Sequence, residues 1–318
     1  MRAIQANGYG PPDVLEPVDL PTPEPIATEV LVRVQAAGVN PVDWKTRARG
    51  PGGVVQLEPP VVLGWDVAGV VDQVGGGVTR FAVGDEVFGM PWFPRLGRAY
   101  AEYVTAPSRQ FARIPEGLDT VQAGGLPLAG LTAWRALVTR GRVAAGMRVL
   151  VTGAGGGAAT FLIQIAHALG ADVIVTSSSD DTIARAIELG AVRGVRYTDS
   201  DWPEQVGEVD LVVDSAGTPA WAGALKCLRR GGTLVSFGRT AGNTAEIDLP
   251  SLFYGQWNVL GTTMGSPREF DALLEHVEQA AWRPVVDSVF LLEQAAAAHE
   301  QLEQPARFGK VVLECRSI

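Results

Sequence analysis

Two cysteines, three histidines and a shortage of positive charge set the first limits on this 318-residue chain. Cys227 and Cys315 fall in unrelated segments with no CxxC spacing, which excludes a disulfide framework and a cysteine metal cage. His167, His276 and His299 sit in helix-like stretches and read as surface or packing residues rather than catalysts. Twenty-six Lys and Arg against thirty-five Asp and Glu leave a net charge of −9, which argues against a nucleic-acid surface and against binding to anionic membrane. No uncharged apolar run approaches the ~18 residues of a membrane span, and MRAIQANGYG has no apolar h-region, so a cytoplasmic location is expected. Repeats and low-complexity tracts are missing as well.

What is present is a chain that is 47% hydrophobic, long enough for two cores, with 38 glycines and 21 prolines interleaved among Val-rich strands. Its most informative string is VLVTGAGGGAATFLIQIAHALGADVIVT, Val149 to Thr176. The order is buried strand, glycine turn, apolar-faced helix, buried strand, as a nucleotide-binding βαβ unit requires. GAGGGA fills the GxGxxG/A template with Gly153, Gly155 and Ala158, and Gly156 and Gly157 complete the turn. Lack of a side chain permits the sharp turn at Gly153 and the approach of a pyrophosphate at Gly155, while a small Ala158 permits close helix packing. Unpaired N–H groups and the positive end of the helix dipole then face the phosphates.

The second strand ends in VIVTSSSDD. An NAD site usually places an acid roughly 20 residues beyond the glycines to hold the ribose 2′-hydroxyl, and that carboxylate repels a 2′-phosphate. Here serines come first and Asp180 and Asp181 follow. Hydroxyls donate to phosphate without charge conflict, so NADPH is expected over NADH, with Ser177 and Ser178 as donors. The same serines are equally suited to cap a helix starting near Asp180. No Lys follows them; Arg193, Arg196 or Tyr197 is left to supply further contacts.

Residues 1 to about 118 have β texture, in EVLVRVQAAGVN, DVAGVVDQVGGGV and VGDEVFGM. From Ala123 the texture changes, with Leu126, Leu131, Trp134 and Leu137 at helical spacing. Beyond the glycine turn, VIVT, GVRYT, DLVVDSAG, GGTLVSFG and NVLGTT alternate with helical stretches, the pattern of a doubly wound parallel sheet in an α/β protein. Their carboxyl ends, with Ser215, Phe237, Gly238 and Thr262, should lie along the cofactor.

AAGVNPVDWK, VLGWDVAGVV, VGDEVFG, AYAEYV, LPLAGLTAW, the glycine turn and FGKVVL together resemble the medium-chain dehydrogenase/reductase superfamily, and within it the zinc-independent quinone oxidoreductase branch. The resemblance covers essentially the whole chain. It implies a GroES-like β-rich catalytic domain at residues 1–119, completed by a C-terminal return at 265–318, a Rossmann cofactor domain at 120–264, and a substrate cleft at their junction. Zinc-dependent relatives take ligands from a Cys, a His and a second Cys, and the matching positions are Asn40, Trp65 and Leu128. Amide, indole and alkyl groups do not replace thiolate and imidazole around Zn²⁺, so no metal is expected.

Without a Lewis acid, the favoured acceptors are quinones or α,β-unsaturated carbonyls, whose conjugation spreads the charge delivered by a hydride. The resemblance places Asn40 and Asp43 in the site loop, though an Asp beside a proline turn also serves as a backbone cap. Trp65 and Trp92 are walls for a flat ring or core fillers. Thr132 is either the threonine that approaches the nicotinamide or an ordinary helix residue. Lys310 is a cation returned to the cleft or a solvated lysine. The loop after Asn40, WKTRARGPGG, has no tyrosine, so no side-chain acid is identified. The competing functions are an enoyl-thioester reductase, for which Arg47, Arg49, Arg95 and Arg98 supply positive charge, and a non-catalytic NADPH-binding sensor. A homodimer is expected, because the apolar strand QWNVLGTTM needs covering at the sheet's edge.

Overall fold

A computed structural model describes residues 1–49, 58–280, 282–304 and 306–315; the side chain of Arg49 and the end of the WKTRARGPGG loop lie outside the described residues. The chain divides into two compact units, Met1–Leu128 with Arg283–Ile318, and Ala129–Trp282.

The first unit holds β1 (Arg2–Ala6), β2 (Leu15–Asp19), β3 (Glu29–Val39), α1 (Pro41–Arg49), β4 (Val61–Val62), β5 (Val67–Val74), β6 (Glu86–Gly89), β7 (Tyr103–Pro107), β8 (Phe111–Arg113) and α2 (Thr120–Gly125). After α3 (Pro127–Trp134), which crosses the boundary, the second unit holds β9 (Arg148–Val151), α4 (Gly157–Ala168), β10 (Asp172–Ser177), α5 (Asp180–Glu188), β11 (Ala191–Arg196), α6 (Trp202–Val206), β12 (Val209–Asp214), α7 (Thr218–Lys226), β13 (Leu228–Ser236), α8 (Leu249–Gly255), β14 (Asn258–Gly261) and α9 (Pro267–Ala280). The chain then returns to the first unit with β15 (Val286–Leu291), α10 (Ala295–Glu303) and β16 (Lys310–Glu314).

In the first unit the largest sheet runs β15-β16-β3-β5-β6-β8, with β7 also on β3. The long strand β3 is its spine: Val30, Val32, Val34, Ala37 and Val39 are buried in one core with Val67, Val71 and Val87. The helix α10 covers this core with Ala295, Ala298, His299 and Leu302, the i, i+3, i+4, i+7 stripe of an amphipathic helix. Thus His299 occupies a core position.

The observed division falls after Leu128 and Trp282 rather than at 119/120 and 264/265. The reason on the N-terminal side is α2, capped by Asp119, whose Ala123, Gly124 and Gly125 are buried against the first unit. On the other side, Glu269 of α9 is tied to Arg135 and Thr139 at 2.6 and 2.5 Å, keeping that helix in the second unit. The segment after Asn40 is helix α1 rather than a loop. Pro41 at its first position and Asp43, whose carboxylate accepts the Asn40 N–H at 2.7 Å, form the N3-to-N-cap half of a capping box. The segment Leu126 to Leu137 breaks into α3 and a π-helical turn at Arg135–Arg140 instead of one regular helix.

The second unit is a parallel sheet in the order β11-β10-β9-β12-β13-β14. Counted along the chain this is 3-2-1-4-5-6, the doubly wound order, and the direction of winding reverses between β9 and β12. Val149, Leu150 and Val151 of β9 pair with Leu211, Val212 and Val213 of β12, all fully buried, so the switch point is a rigid seam. Every residue of α4 from Ala159 to Ala166 is buried, Phe161, Leu162, Ile163 and Ile165 among them, so the helix is enclosed on all sides.

Candidate functional site

At the carboxyl end of the β9–β12 seam, the chain after Thr152 turns sharply at Gly153, φ +70°, a left-handed value that costs a side chain dearly. The turn is pinned from β10: Thr176 accepts the Ala154 N–H on its carbonyl at 2.9 Å and the Gly153 N–H on Oγ1 at 3.4 Å. The helix α4 then starts from Gly156 with no side-chain cap. Ser179 caps α5 through the Thr182 N–H and Asp248 caps α8 through that of Ser251, whereas α6 and α7, like α4, start without a side-chain cap. An uncapped first turn beside glycines is a ready acceptor of an anion.

Asp214, at the end of β12, belongs to the DSAG strand end expected along the cofactor, and its role as the organiser of this edge is not among those expected from sequence. Its buried carboxylate accepts from Thr152 Oγ1 at 2.6 Å, Trp221 Nε1 at 2.9 Å and the Gly217 N–H at 3.0 Å. It therefore joins the residue before the glycine turn to the loop after β12. The DSAG string carried the signal, because an Asp followed by small residues at a strand end has free N–H groups to collect. Beside it, Ser215 and Phe237 are half-buried, and Gly238 packs so tightly that an added Cβ would lie 2.0 Å from the Ser215 carbonyl. On the same edge, the buried Thr262 Oγ1 at the end of β14 has no hydrogen-bond partner among the described residues. Thr132 reaches the adjoining segment, its Oγ1 3.6 Å from Met264 Sδ. The second unit thus brings together Gly153 to Ala158, Ser215, Phe237, Gly238 and Thr262 on the carboxyl edge of one sheet. With an uncapped helix start and an orphaned hydroxyl, these residues fit a dinucleotide.

Of the serines, Ser179 is the one that caps α5, while Ser177 is buried and its Oγ accepts the Ser179 N–H at 3.1 Å. Ser178 is exposed. Tyr197, half exposed, donates its backbone N–H to the Ser177 carbonyl at 3.1 Å.

The first unit gathers its expected residues differently. Asn40 and Asp43 have no exposed surface, and Lys310 is 3% exposed. The Lys310 ammonium donates to Asn40 Oδ1 and to the Val39 carbonyl, and lies 3.6 Å from Asp66. Asn40 Nδ2 donates to Asp66 at 2.8 Å, and the Leu128 N–H donates to the other Asp66 oxygen at 2.8 Å. Lys310 is therefore not a solvated lysine, and reaching a cofactor directly would strip it from a buried carboxylate. Burial pushes Asp66 up and Lys310 down, each opposed by the other's charge.

Asp43 accepts the N–H groups of Asn40 at 2.7 Å and Gly64 at 3.1 Å, and a hydrogen bond from Tyr100. Burial nevertheless pushes it up to about 7. Behind Tyr100 the order is fixed by donor chemistry. Arg47 Nη1 lies 3.1 Å from His299 Nδ1, and arginine only donates, so Nδ1 accepts and Nε2 carries the proton toward Tyr100 Oη at 3.1 Å. Burial, with the Arg47 charge, lowers His299 to about 3, so the ring is neutral. Arg47 is 2% exposed and also donates to the Gly10 carbonyl at 3.1 Å and to Glu303 at 2.8 Å. It is spent inside the fold and supplies no basic pocket, whereas Arg95 and Arg98 are exposed.

Trp65 is fully buried, its Nε1 donating to the Arg95 carbonyl at 2.6 Å and its ring edge-on to Phe93. Trp92 is half-buried and donates to the Thr105 carbonyl at 2.8 Å. At the three positions matched to zinc ligands the structure thus has a saturated amide, a buried indole and the alkyl chain of Leu128. This donor set does not fit zinc, and the cation beside Asp66 is the Lys310 ammonium.

Comparison with known proteins agrees with both units. The family model for the alcohol dehydrogenase GroES-like domain matches residues 26–116, and that for zinc-binding dehydrogenases matches residues 157–279. The quinone oxidoreductase of Rattus norvegicus is 31% identical over 98% of this chain and 97% of its own length, and the 2-haloacrylate reductase of a Burkholderia species 34% identical over 98% of each. Among solved structures, an NAD-dependent alcohol dehydrogenase superposes with TM-score 0.90 at 38% identity, covering 99% of each chain. The Escherichia coli quinone oxidoreductase, solved with NADPH, superposes with TM-score 0.85 at 27% identity, covering 99% of this chain and all of its own. The chain belongs to the medium-chain dehydrogenase/reductase superfamily, as a quinone oxidoreductase-like member, and is an NAD(P)H-dependent oxidoreductase.

Proposed function

We propose that the protein is a zinc-independent, NADPH-dependent reductase acting on quinones or α,β-unsaturated carbonyls. The observation that carries this reading is the glycine turn at the β9–β12 switch point, where α4 begins without a cap. When bound, the dinucleotide supplies a hydride equivalent. The chain's own part is to hold and orient it. Main-chain N–H groups of Gly155 to Ala158 and the α4 dipole hold the pyrophosphate. Ser177, Ser178 and Tyr197 receive the adenosine end, and Ser215, Phe237, Gly238 and Thr262 line the rest, with Thr132 at the nicotinamide. Asn40, Asp43, Trp65 and Lys310 act as positioning residues, since their polar groups are committed within the first unit. The polar groups of Asn40, Asp43 and Lys310 are held by partners within the first unit, so none of the expected site residues is assigned as proton donor, and the proton that completes reduction comes from water.

The NAD-dependent alcohol dehydrogenase neighbour favours a second reading, alcohol oxidation with NAD. That chemistry calls for stabilisation of an alkoxide, and Asn40, Trp65 and Leu128 offer no zinc ligand set for it. An enoyl-thioester acceptor is disfavoured by the loss of Arg47 to the interior. Oxidation of NADPH at 340 nm with 1,4-benzoquinone or methyl vinyl ketone, in EDTA-treated enzyme, is expected to exceed oxidation with crotonyl-CoA or the reverse reaction with primary alcohols by at least tenfold. Faster turnover of alcohols with NAD, or activity abolished by EDTA, would reverse the assignment; no turnover with any of them would favour a sensor.

A homodimer in the cytoplasm completes the proposal. β14 is an edge strand, and α8, which precedes it in the chain, carries Leu249, Phe253 and Tyr254 with 66%, 60% and 75% of their surfaces exposed. An uncovered edge next to aromatic surface calls for a partner, and a second copy paired along β14 covers both. Light scattering should give twice the mass of one chain, falling to one in Phe253→Asp; a monomer at micromolar concentration in the wild type would refute it.

A further inference from the structure

The ends of β10 and β11 hold a charge pair that the cofactor reading does not use. In the parallel register Ser177 lies directly beside Arg196, and the Tyr197 N–H ties the two strand ends together. The Arg196 guanidinium donates to Asp180 Oδ2 at 3.1 Å, with 44% and 75% of the two side chains exposed. Its neighbours are committed elsewhere or carry no charge. Arg193 donates to the Val206 carbonyl at 2.9 Å, Ser179 caps α5, and Ser178 offers an exposed hydroxyl. The other acids nearby include Asp181, in the first turn of α5, and Asp199, whose N–H donates to the Arg196 carbonyl at 3.2 Å. Of the residues left to supplement the serines, Arg196 is thus the cation that strand register places beside them.

An exposed ion pair holds only weakly, so this guanidinium exchanges partners readily. Its planar fork suits a phosphate dianion, while Asp180 alone, with its free carboxylate, suits a ribose 2′-hydroxyl. We propose that Arg196 recognises the 2′-phosphate of NADPH by leaving Asp180, and that the Asp180–Arg196 pair sets the preference between NADPH and NADH. This rests on the dinucleotide site proposed above. Arg196 has two roles: paired with Asp180 it cancels the charge that would repel the phosphate, and once exchanged it binds that phosphate. The preference is therefore a balance of two charges rather than the property of one residue.

Dissociation constants for NADPH and NADH, read from the fluorescence of the reduced nicotinamide without any acceptor, test the assignment. Arg196→Gln should weaken NADPH by roughly tenfold to a hundredfold, the range of a lost charge-assisted hydrogen bond, and change NADH by less than threefold. Asp180→Asn should tighten NADPH and weaken NADH, and Arg196→Lys should recover part of the NADPH affinity as a point charge. Arg193→Gln, whose guanidinium is held by a carbonyl, should leave both constants within threefold. Wild-type protein that binds neither nucleotide would end the dinucleotide reading itself. Binding of NADPH that is indifferent to Arg196→Gln, or an equal loss for both nucleotides, would overturn only the role given to Arg196.

Discussion

Replacement of Lys310 by methionine should destabilise the protein by about 4 kcal/mol, the range for a buried ion pair deprived of one partner. The methionine fills most of the lysine's volume, so the loss is electrostatic. Asp66 keeps its bonds from Asn40 Nδ2 and the Leu128 N–H but loses the only cation beside it among the described residues. Asn40 Oδ1 simultaneously loses its donor. A charged carboxylate at a site with no exposed surface is then stranded in low dielectric, and protonation is its escape. Urea unfolding at pH 7 measures the loss. Combining Lys310→Met with Asp66→Asn should recover at least half of it, because the amide needs no counter-charge. A single-variant loss below ~1 kcal/mol would show that the pair contributes nothing net, as many ion pairs do.

His299 gives the second large effect, and its chemical signature is sharper. Truncation to alanine removes the acceptor of one Arg47 N–H and the donor to Tyr100 in one step, for roughly 3 kcal/mol of lost stability. Glutamine should restore most of this, since its carbonyl accepts from Arg47 while its amide donates to Tyr100. The two variants also differ from wild type in their response to pH. His299 is held neutral down to about 3, so between that value and its ordinary 6.5 the unfolded chain binds the extra proton, and this contribution falls as pH falls. Asp43 is raised to about 7, so between 3.8 and 7 the folded chain binds the extra proton, and this contribution falls as pH rises. In wild type the opposed slopes cancel across most of pH 4 to 6.5. His299→Gln leaves Asp43 uncompensated, and its stability relative to wild type should drop on going from pH 4 to 6.5 by up to ~3 kcal/mol, at about 1.4 kcal/mol per pH unit. A pH-independent difference between His299→Gln and wild type would show that the two groups do not oppose each other.

The contrast between the two units explains what could be read in advance. In the cofactor unit, the residues expected along the dinucleotide are local in the chain: Gly153 to Ala158 form one turn, and each strand end announces itself by a small residue after a Val-rich run. The doubly wound order follows from regular alternation of strand and helix. In the first unit the decisive contacts join residues far apart, and no periodicity marks them. Lys310 and Asn40 are 270 residues apart, and Arg47 and His299 are 252. A lysine after FG and a histidine in AAAAHEQ look like surface residues until the fold sets a carboxylate or a guanidinium opposite them. Helix α1 escaped notice because WKTRAR lacks an apolar stripe and is held by its cap. Arg196 stands with Arg193 and Tyr197 among the residues that could supplement the serines, and only the register of the parallel strands singles it out as the cation beside Ser177.

The first unit is also assembled from two segments separated in the chain by the whole of the second. β16 lies between β15 and β3 in its sheet, and although β5 and β7 cover the rest of β3 early, the stretch Ala36–Val39 gains its second neighbour only when β16 appears. Until then Asp66 awaits its counter-ion, and the apolar edge from Ala36 to Val39 stays open to other chains. The contiguous stretch from Ala129 to Trp282 has no such dependence and can close on itself first. Truncation from the carboxyl terminus therefore strikes the amino-terminal sheet, not the nucleotide fold that precedes it in sequence.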